Sequence, residues 1–384
     1  MKRILFIVAF ALLCCTPRAM YAQWTFMKTD GDSLLQLGAE NIYNVQFDAA
    51  RGYFERVIAL YPEHPSGYFL DAMIEWWKIS IDTKNYSYDG SFLAKIDKTL
   101  AVCNKVLKDE ESNVTALFFK GGALGYRARY YLQRERYLDA ANDGKDGLDI
   151  LIACQKIAPG NHDIMLGTGL YNYLAAVFPE RYPILKPVMA FLPSGDKPLG
   201  ILQLKAASTK ARYAKYEAQV ALYQIYFEFE KSPSEAMPFA RELYRRFPQN
   251  PYFNRAFGRC LVSEGSLDTM ETLWRGVLVK VLDKKFGYDN SAAREALYYV
   301  GLVRMLRNDL PAALMYLYKA DEASRSLDKV PSGYMIKTNL KIAQILDLQG
   351  KRQQALAQYE KVLSWKDTQG SHEEARRFIA TPYK

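Results

Sequence analysis

Histidine is scarce in this chain. Its three copies, His64, His162 and His372, stand far apart, and none falls in the His-Glu-x-x-His spacing that puts two imidazoles on one helical face around zinc. Cysteine is nearly as rare. Cys14 and Cys15 lie close to the start, and beyond them only Cys103, Cys154 and Cys260 remain, an odd number with no Cys-x-x-Cys pair. That excludes a disulfide framework and a zinc knuckle, and the three read as small apolar residues buried in helices. There is no Walker loop and no Gly-x-Ser-x-Gly elbow. Gly167-x-Gly169-x-x-Asn172 lacks the third glycine of a dinucleotide loop, and the run from Asp139 has Ala141 and Ile150 where a calcium loop needs oxygen donors. After residue 22 no stretch reaches 18 uninterrupted apolar residues, so no transmembrane segment is expected in the mature chain. These absences point away from metal, cofactor and catalysis together.

What is present is apolar and aromatic: 49% hydrophobic and 14% aromatic residues are too many for a disordered chain. The start reads as an export signal over 1–22, with Lys2 and Arg3 before an apolar run from Ile4 to Leu13 and a cleavage region ahead of Gln23. Met20 is larger than the residue such a cleavage site prefers. Leu12-Leu13-Cys14-Cys15 offers the lesser alternative of a lipid anchor on Cys14 or Cys15. Removing Lys2, Arg3 and Arg18 takes the net charge from +9 to +6, a weak field for a chain of this length and no sign of nucleic acid. The expected location is exported, periplasmic or outer-membrane associated.

Beyond the signal the chain repeats itself. Leu34, Leu37, Gly38, Ala50, Phe54, Val57 and Pro62 fall at positions 4, 7, 8, 20, 24, 27 and 32 of a unit counted from Gly31. Later units show the same pattern: Val220, Tyr223, Ala236, Ala240, Leu243 and Pro248; Phe257, Gly258, Met270, Trp274 and Val277; Leu297, Val300, Gly301, Ala313, Leu317 and Ala320; Ala343, Leu346, Ala355, Tyr359 and Val362. A small residue at position 8 of a first helix, A, and another at position 20 of a second, B, let two backbones approach closely. Between these ends the units are stretched, with position 8 assigned to residues 72, 122 and 167 and second helices at 92–107, 137–157 and 199–213. Prolines 179, 183, 187, 193 and 198 punctuate a segment inserted in the fourth unit.

This spacing resembles the tetratricopeptide (TPR) repeat, and with the leader it is similar to bacterial exported members of that class. The resemblance implies an all-α fold, a right-handed α-α superhelix of about eight helical hairpins, acting as a docking scaffold. Domain limits follow as signal 1–22, N-terminal segment 23–30, solenoid 31–369 with insertion 179–198, and tail 370–384. Within 163–208, the runs Gly167-Thr-Gly-Leu-Tyr-Asn-Tyr-Leu and Leu192-Pro-Ser-Gly-Asp-Lys-Pro-Leu-Gly resemble a eukaryotic TPR family linked to inclusion-body clearance and sterol handling. That likeness implies an inserted-hairpin geometry and a leaning towards lipid.

In such a solenoid, positions 2, 5, 9, 12 and 13 of each A helix line the concave face. Counting places Phe69, Trp76 and Trp77 there, then Phe119, Tyr126 and Arg127, Tyr171 and Asn172, Arg255 and Arg259, and Tyr298. Aromatic platforms with guanidinium forks suit an extended peptide, a carboxylate or a phosphorylated head group. Core packing competes for the aromatics. The basic run from Tyr126 to Tyr137 reads as a solvated helix end. The expectation is a non-catalytic scaffold for a protein or peptide of the envelope, with a lipid or other amphiphile as the alternative ligand. A hydrolase built on Asp163, Asp196 or His162 is the most remote reading. Mass spectrometry of the mature protein tests the leader: an N-terminus at Gln23 is expected, and a lipid on Cys14 or Cys15 would replace that reading.

Overall fold

The computed structural model describes residues 27–181, 186, 190 and 192–384. The 1–22 signal with Cys14 and Cys15 lies outside the described residues, as do Pro183 and Pro187. Among the described residues there are seventeen α-helices and no strand. They are α1 (Thr29–Tyr43), α2 (Phe47–Leu60), α3 (Pro65–Ile81), α4 (Asp89–Asp109), α5 (Val114–Gln133), α6 (Tyr137–Ile157), α7 (Ile164–Arg181), α8 (Lys197–Lys210) and α9 (Lys215–Gln224). Then follow α10 (Pro233–Arg246), α11 (Pro251–Glu264), α12 (Leu267–Leu282), α13 (Asn290–Leu306), α14 (Leu310–Leu327), α15 (Gly333–Leu348), α16 (Arg352–Leu363) and α17 (Ser371–Ala380). A π-helical turn, Ile225–Phe229, extends α9. The helices pair in sequence order into eight hairpins, α1 with α2 through α15 with α16, leaving α17 over. This is an all-α helical-repeat fold of tetratricopeptide type.

Helix starts carry local signals. Asn113, Asp196, Asn250, Asp289, Asp309 and Ser332 each accept a hydrogen bond from a first-turn amide, which satisfies one of the donors a helix start leaves open.

The repeat's steric logic is visible where glycine faces a large residue sixteen positions later. A Cβ placed on Gly38 would lie 2.3 Å from Phe54 Cε1, one on Gly258 2.6 Å from Trp274 Cζ2, and one on Gly301 2.8 Å from Leu317 Cγ. Phe54, Trp274 and Leu317 are all fully buried. Position 8 therefore has to be glycine in these hairpins for position 24 to be large.

In the stretched units the register differs from the sequence expectation. The close approach of α5 to α6 is made by Gly121 and Gly147, not Gly122: a Cβ on Gly121 would meet Leu151 Cγ at 2.7 Å, whereas one on Gly122 would rest against Phe69 at an ordinary 3.6 Å. Between α7 and α8 the contact is Gly169 on Gly200, while Gly167 faces Leu151 of α6. Glycines one or two residues apart offer competing registers, and only packing selects one. Leu37, expected in the core, is 45% exposed. Helix α7 passes through Pro179 to Arg181, past the expected end at 178.

The described residues form two compact units. The first holds the chain up to Gly38 with Gly52–Asp71 and Leu93–Lys215; the second holds Ala39–Arg51, Ala72–Phe92 and Tyr216–Lys384. In the second, neighbours stack from α10 to α17, each helix touching the next. Residues 370–384, expected as a tail, instead contain α17, which packs on α15 and α16. Arg352 fixes it by donating to the Phe378 and Ile379 carbonyls at 2.9 and 2.5 Å, at the end where a cation offsets the helix dipole. Asp347 accepts from Arg352, from the Tyr359 hydroxyl and from the Tyr383 amide.

The second unit also contains a contact that neighbour-to-neighbour stacking does not require. Trp77 Nε1 donates to Glu217 Oε1 at 2.8 Å, the Tyr43 hydroxyl donates to the same oxygen at 3.3 Å, and Asn250 Nδ2 donates to the Tyr43 carbonyl at 2.9 Å. Around these bonds the Tyr43, Trp77, Tyr216, Phe247 and Phe253 rings pack with centroids 4.9–6.4 Å apart. Residues of the first two hairpins are thereby joined to those of the fifth and sixth.

Substituting Gly258→Val should cost about 1–3 kcal/mol by overpacking. Gly276→Ala, on the same hairpin with open space around it, should be neutral or gain up to about 1 kcal/mol. Urea unfolding of both variants measures the difference.

Candidate binding site

The second unit brings polar side chains together on the A helices α11, α13 and α15. At their centre is Glu295 of α13, whose side chain has no exposure. A carboxylate in that position requires cations, and α11 supplies two, one turn apart. Arg255 Nε donates to Glu295 Oε2 at 2.7 Å; Arg259 donates from Nε to Oε1 at 2.5 Å and from Nη2 to Oε2 at 3.0 Å. The Tyr334 hydroxyl of α15 also acts to lower the Glu295 pKa. Burial would raise the Glu295 pKa, but Arg259 and then Arg255 outweigh it and hold the carboxyl down at about 2. Burial likewise opposes the charge of Arg259, and Glu295 keeps it charged.

The pairing leaves charge and donors over. Two guanidinium groups meet one carboxylate, and the Arg255 Nη groups bond to nothing else among the described residues. The arginine side chains keep 20% and 26% exposure, so both reach solvent beside the buried carboxylate. On α15 stands Lys337, its pKa lowered first by partial desolvation and then by the charges of Lys231 and Arg259. Lys341, one turn on, is lowered by desolvation, with Arg377 adding to the effect and Glu374 opposing it. The Tyr223 hydroxyl of α9 is buried with no hydrogen-bond partner, and Arg259 acts on it electrostatically.

Of the residues expected on a binding face, Arg255, Arg259 and Tyr298 come together here. Arg255 and Arg259 are paired through Glu295, and Tyr298 is buried, its ring 5.8 Å from that of Tyr334. Trp76 and Trp77 are corrected by the structure: both are buried, Trp76 against Phe92 and Trp77 in the knot with Glu217. In the first unit, Phe69, Phe119 and Tyr126 are likewise core, with Phe69 5.4 and 5.7 Å from the other two rings. Adjacent helices cover them, so they offer no open wall. Arg127 is held by Asp143 at 2.6 and 3.0 Å and by Asp97 at 2.8 Å. The Tyr171 hydroxyl donates to the Pro193 carbonyl at 3.0 Å, and Asn172 donates to Gln203 at 2.9 Å; both tie α7 to the segment after it.

Glu295, Lys337, Tyr223 and Tyr334 were not among the expected residues. Glu295 and Lys337 sit at position 2 of their units, counting back from Gly301 and Ala343, so the register marked them; a search for aromatics and arginines passes over them. Tyr223 and Tyr334 carry no such mark.

The residues considered for hydrolysis have structural work. Asp163 accepts from the amides of Arg212, Tyr213 and Ala214 at 3.3, 2.7 and 2.7 Å, and Asp196 caps α8. His64 bonds Ser66 at the start of α3. Cys103, Cys154 and Cys260 are buried thiols, pushed by burial to about 12. Among the described residues no group of His, Cys, Asp and Glu could hold a metal, and no helix is long and apolar enough to cross a membrane.

No family model and no curated protein matches the chain. Among solved structures, TTC0263, a thermophilic TPR protein of Thermus thermophilus, aligns over 60% of this chain and 99% of its own at 16% identity and a TM-score of 0.37. A human IFIT1 dimer with PPP-AAAA aligns over 87% and 71% at 13% identity and 0.43, and one with m7Gppp-AAAA over 87% and 70% at 14% and 0.39.

The Arg255→Ala/Arg259→Ala double variant should lose roughly 3–5 kcal/mol, because it strands a buried carboxylate. The depressed Glu295 pKa means its pairing stabilises the fold above the unfolded value of 4.5 and is lost as pH falls towards about 2. The double variant should therefore lose the part of its acid sensitivity that falls in that window, and adding Glu295→Gln should recover part of the stability. Chemical denaturation across pH measures both.

Proposed function

We propose that the protein is a non-catalytic scaffold of the cell envelope that binds an anionic segment of a partner protein on the α11, α13 and α15 face. The observation that carries this reading is the Arg255/Arg259 pair, which faces a single carboxylate and keeps unbonded Nη donors on partly exposed side chains. A guanidinium pre-oriented by a buried carboxylate loses little conformational freedom on meeting an anion. Lys337 extends the positive charge along α15, and Lys341, one turn on, lies 3.9 Å from Glu374. The location belongs to the same proposal and rests on the leader over 1–22.

A second reading, binding of a lipid or other amphiphile, draws support from Leu199 and Leu202 of α8. These are 41% and 65% exposed next to the 179–198 segment.

Photo-crosslinking in intact cells tests the primary reading. A crosslinker at Lys337 should capture a discrete partner, and the same probe at Met315, exposed on the B helix α14, should not. Capture should fall at least about tenfold when Lys341→Glu is added. Equal capture at both positions would remove the assignment of this face.

A further inference from the structure

The charge around Glu295 distinguishes between kinds of anion. Arg255, Arg259, Lys231 and Lys337 supply four positive charges, and Glu295 and Glu228 supply two negative ones, which leaves +2. A carboxylate would neutralise half of that. A phosphate monoester carries about −1.5 to −2 near pH 7 and presents three acceptor oxygens.

The donors left over match this count. Among the described residues, both Nη groups of Arg255 and Nη1 of Arg259 make no bond and Lys337 makes no ion pair. The Tyr223 hydroxyl is the independent observation. Its residue is 1% exposed, the hydroxyl has no hydrogen-bond partner among the described residues, and Arg259 is the charge that acts on it most strongly. An unbonded buried hydroxyl costs free energy unless something meets it.

Tyr223 also stands two residues before the π-helical turn Ile225–Phe229, where the regular helix gives way to a wider one. Single π turns of this kind recur at functional sites. The ring of Tyr223 is stacked on Phe227 of that turn and meets Tyr252 of α11 edge-on, so its position is fixed from both sides.

We infer that the surface beside Arg255, Arg259, Tyr223 and Lys337 is a binding site for a phosphate monoester carried on that anionic segment. This rests on the anionic-face reading above and narrows it. The arginine side chains keep only 20% and 26% exposure around a fully covered carboxylate, which suits a single anionic group better than a flat lipid surface.

Titration calorimetry on the full mature chain at low ionic strength tests it, with inorganic phosphate, glycerol 3-phosphate and acetate as probes. Saturable one-to-one binding of both phosphates, with acetate at least about tenfold weaker, is expected. Binding should weaken several-fold from pH 7.5 to 5.5, because the phosphate takes up its second proton near about pH 6 while the arginines stay charged. Lys337→Glu should weaken it about tenfold, and this exposed position leaves the Glu295 pairing intact. Arg255→Lys, which keeps the charge and removes the fork, should also weaken it.

Acetate binding as tightly as phosphate, or no phosphate binding, would overturn the inference. Crosslinking at Lys337 would then still judge the anionic-face reading by itself. Binding only to phosphatidylcholine vesicles containing phosphatidic acid, with none to the soluble phosphates, would also overturn it and favour a membrane surface.

Discussion

No hairpin of this chain can bury its apolar stripe alone, and that constraint organises the rest. It demands a close approach of each A helix to its B helix, which is why glycine stands opposite Phe54, Trp274 and Leu317. It also demands a neighbour on each side, and at the C-terminal end, where the repeats stop, α17 supplies one. The latch from Arg352 to the last carbonyls of α17 turns a short helix into a lid over the apolar face of the last hairpin.

The candidate site is a by-product of the same stacking. Glu295 of α13 is completely buried where the arginines of α11 reach it, and a buried carboxylate requires compensation. The compensation is larger than the need: two arginines answer one charge. A scaffold optimised for stability alone would place apolar residues there, since a buried ion pair seldom stabilises more than a well-packed apolar replacement. The surplus charge therefore directs attention to binding.

The fold was legible because its rule is local. Sixteen residues separate Gly38 from Phe54, and the same interval separates Gly258 from Trp274 and Gly301 from Leu317, so a period read from residues alone recovers the hairpins. It misplaced Gly122 and Gly167 because Gly121, Gly125 and Gly169 compete in the same helices. The binding face was legible only in part. Arg255 and Arg259 were found by position, but their use of Glu295 depends on a helix 36 to 40 residues away. Trp76 and Trp77 were assigned to an open face because nothing nearby in sequence covers them. What covers Trp77 comes from Glu217, 140 residues on, and no periodicity encodes that distance.

The Trp77 to Glu217 bond also bears on how such a chain can change over evolutionary time. An open array gains or loses whole repeats with little penalty, since each new copy needs only two neighbours. Here the first two hairpins are tied to the fifth and sixth, with two hairpins between them. A duplication or deletion in that interval would move Glu217 and Asn250 away from their partners and leave a carboxylate, an indole and a ring cluster unmatched. Phe47 against Phe286, with centroids 5.2 Å apart, and the Lys84–Asp328 ion pair at 3.5 Å carry the tie on to the two ends of the seventh hairpin. The number of repeats is therefore held fixed over the whole span that these contacts bridge.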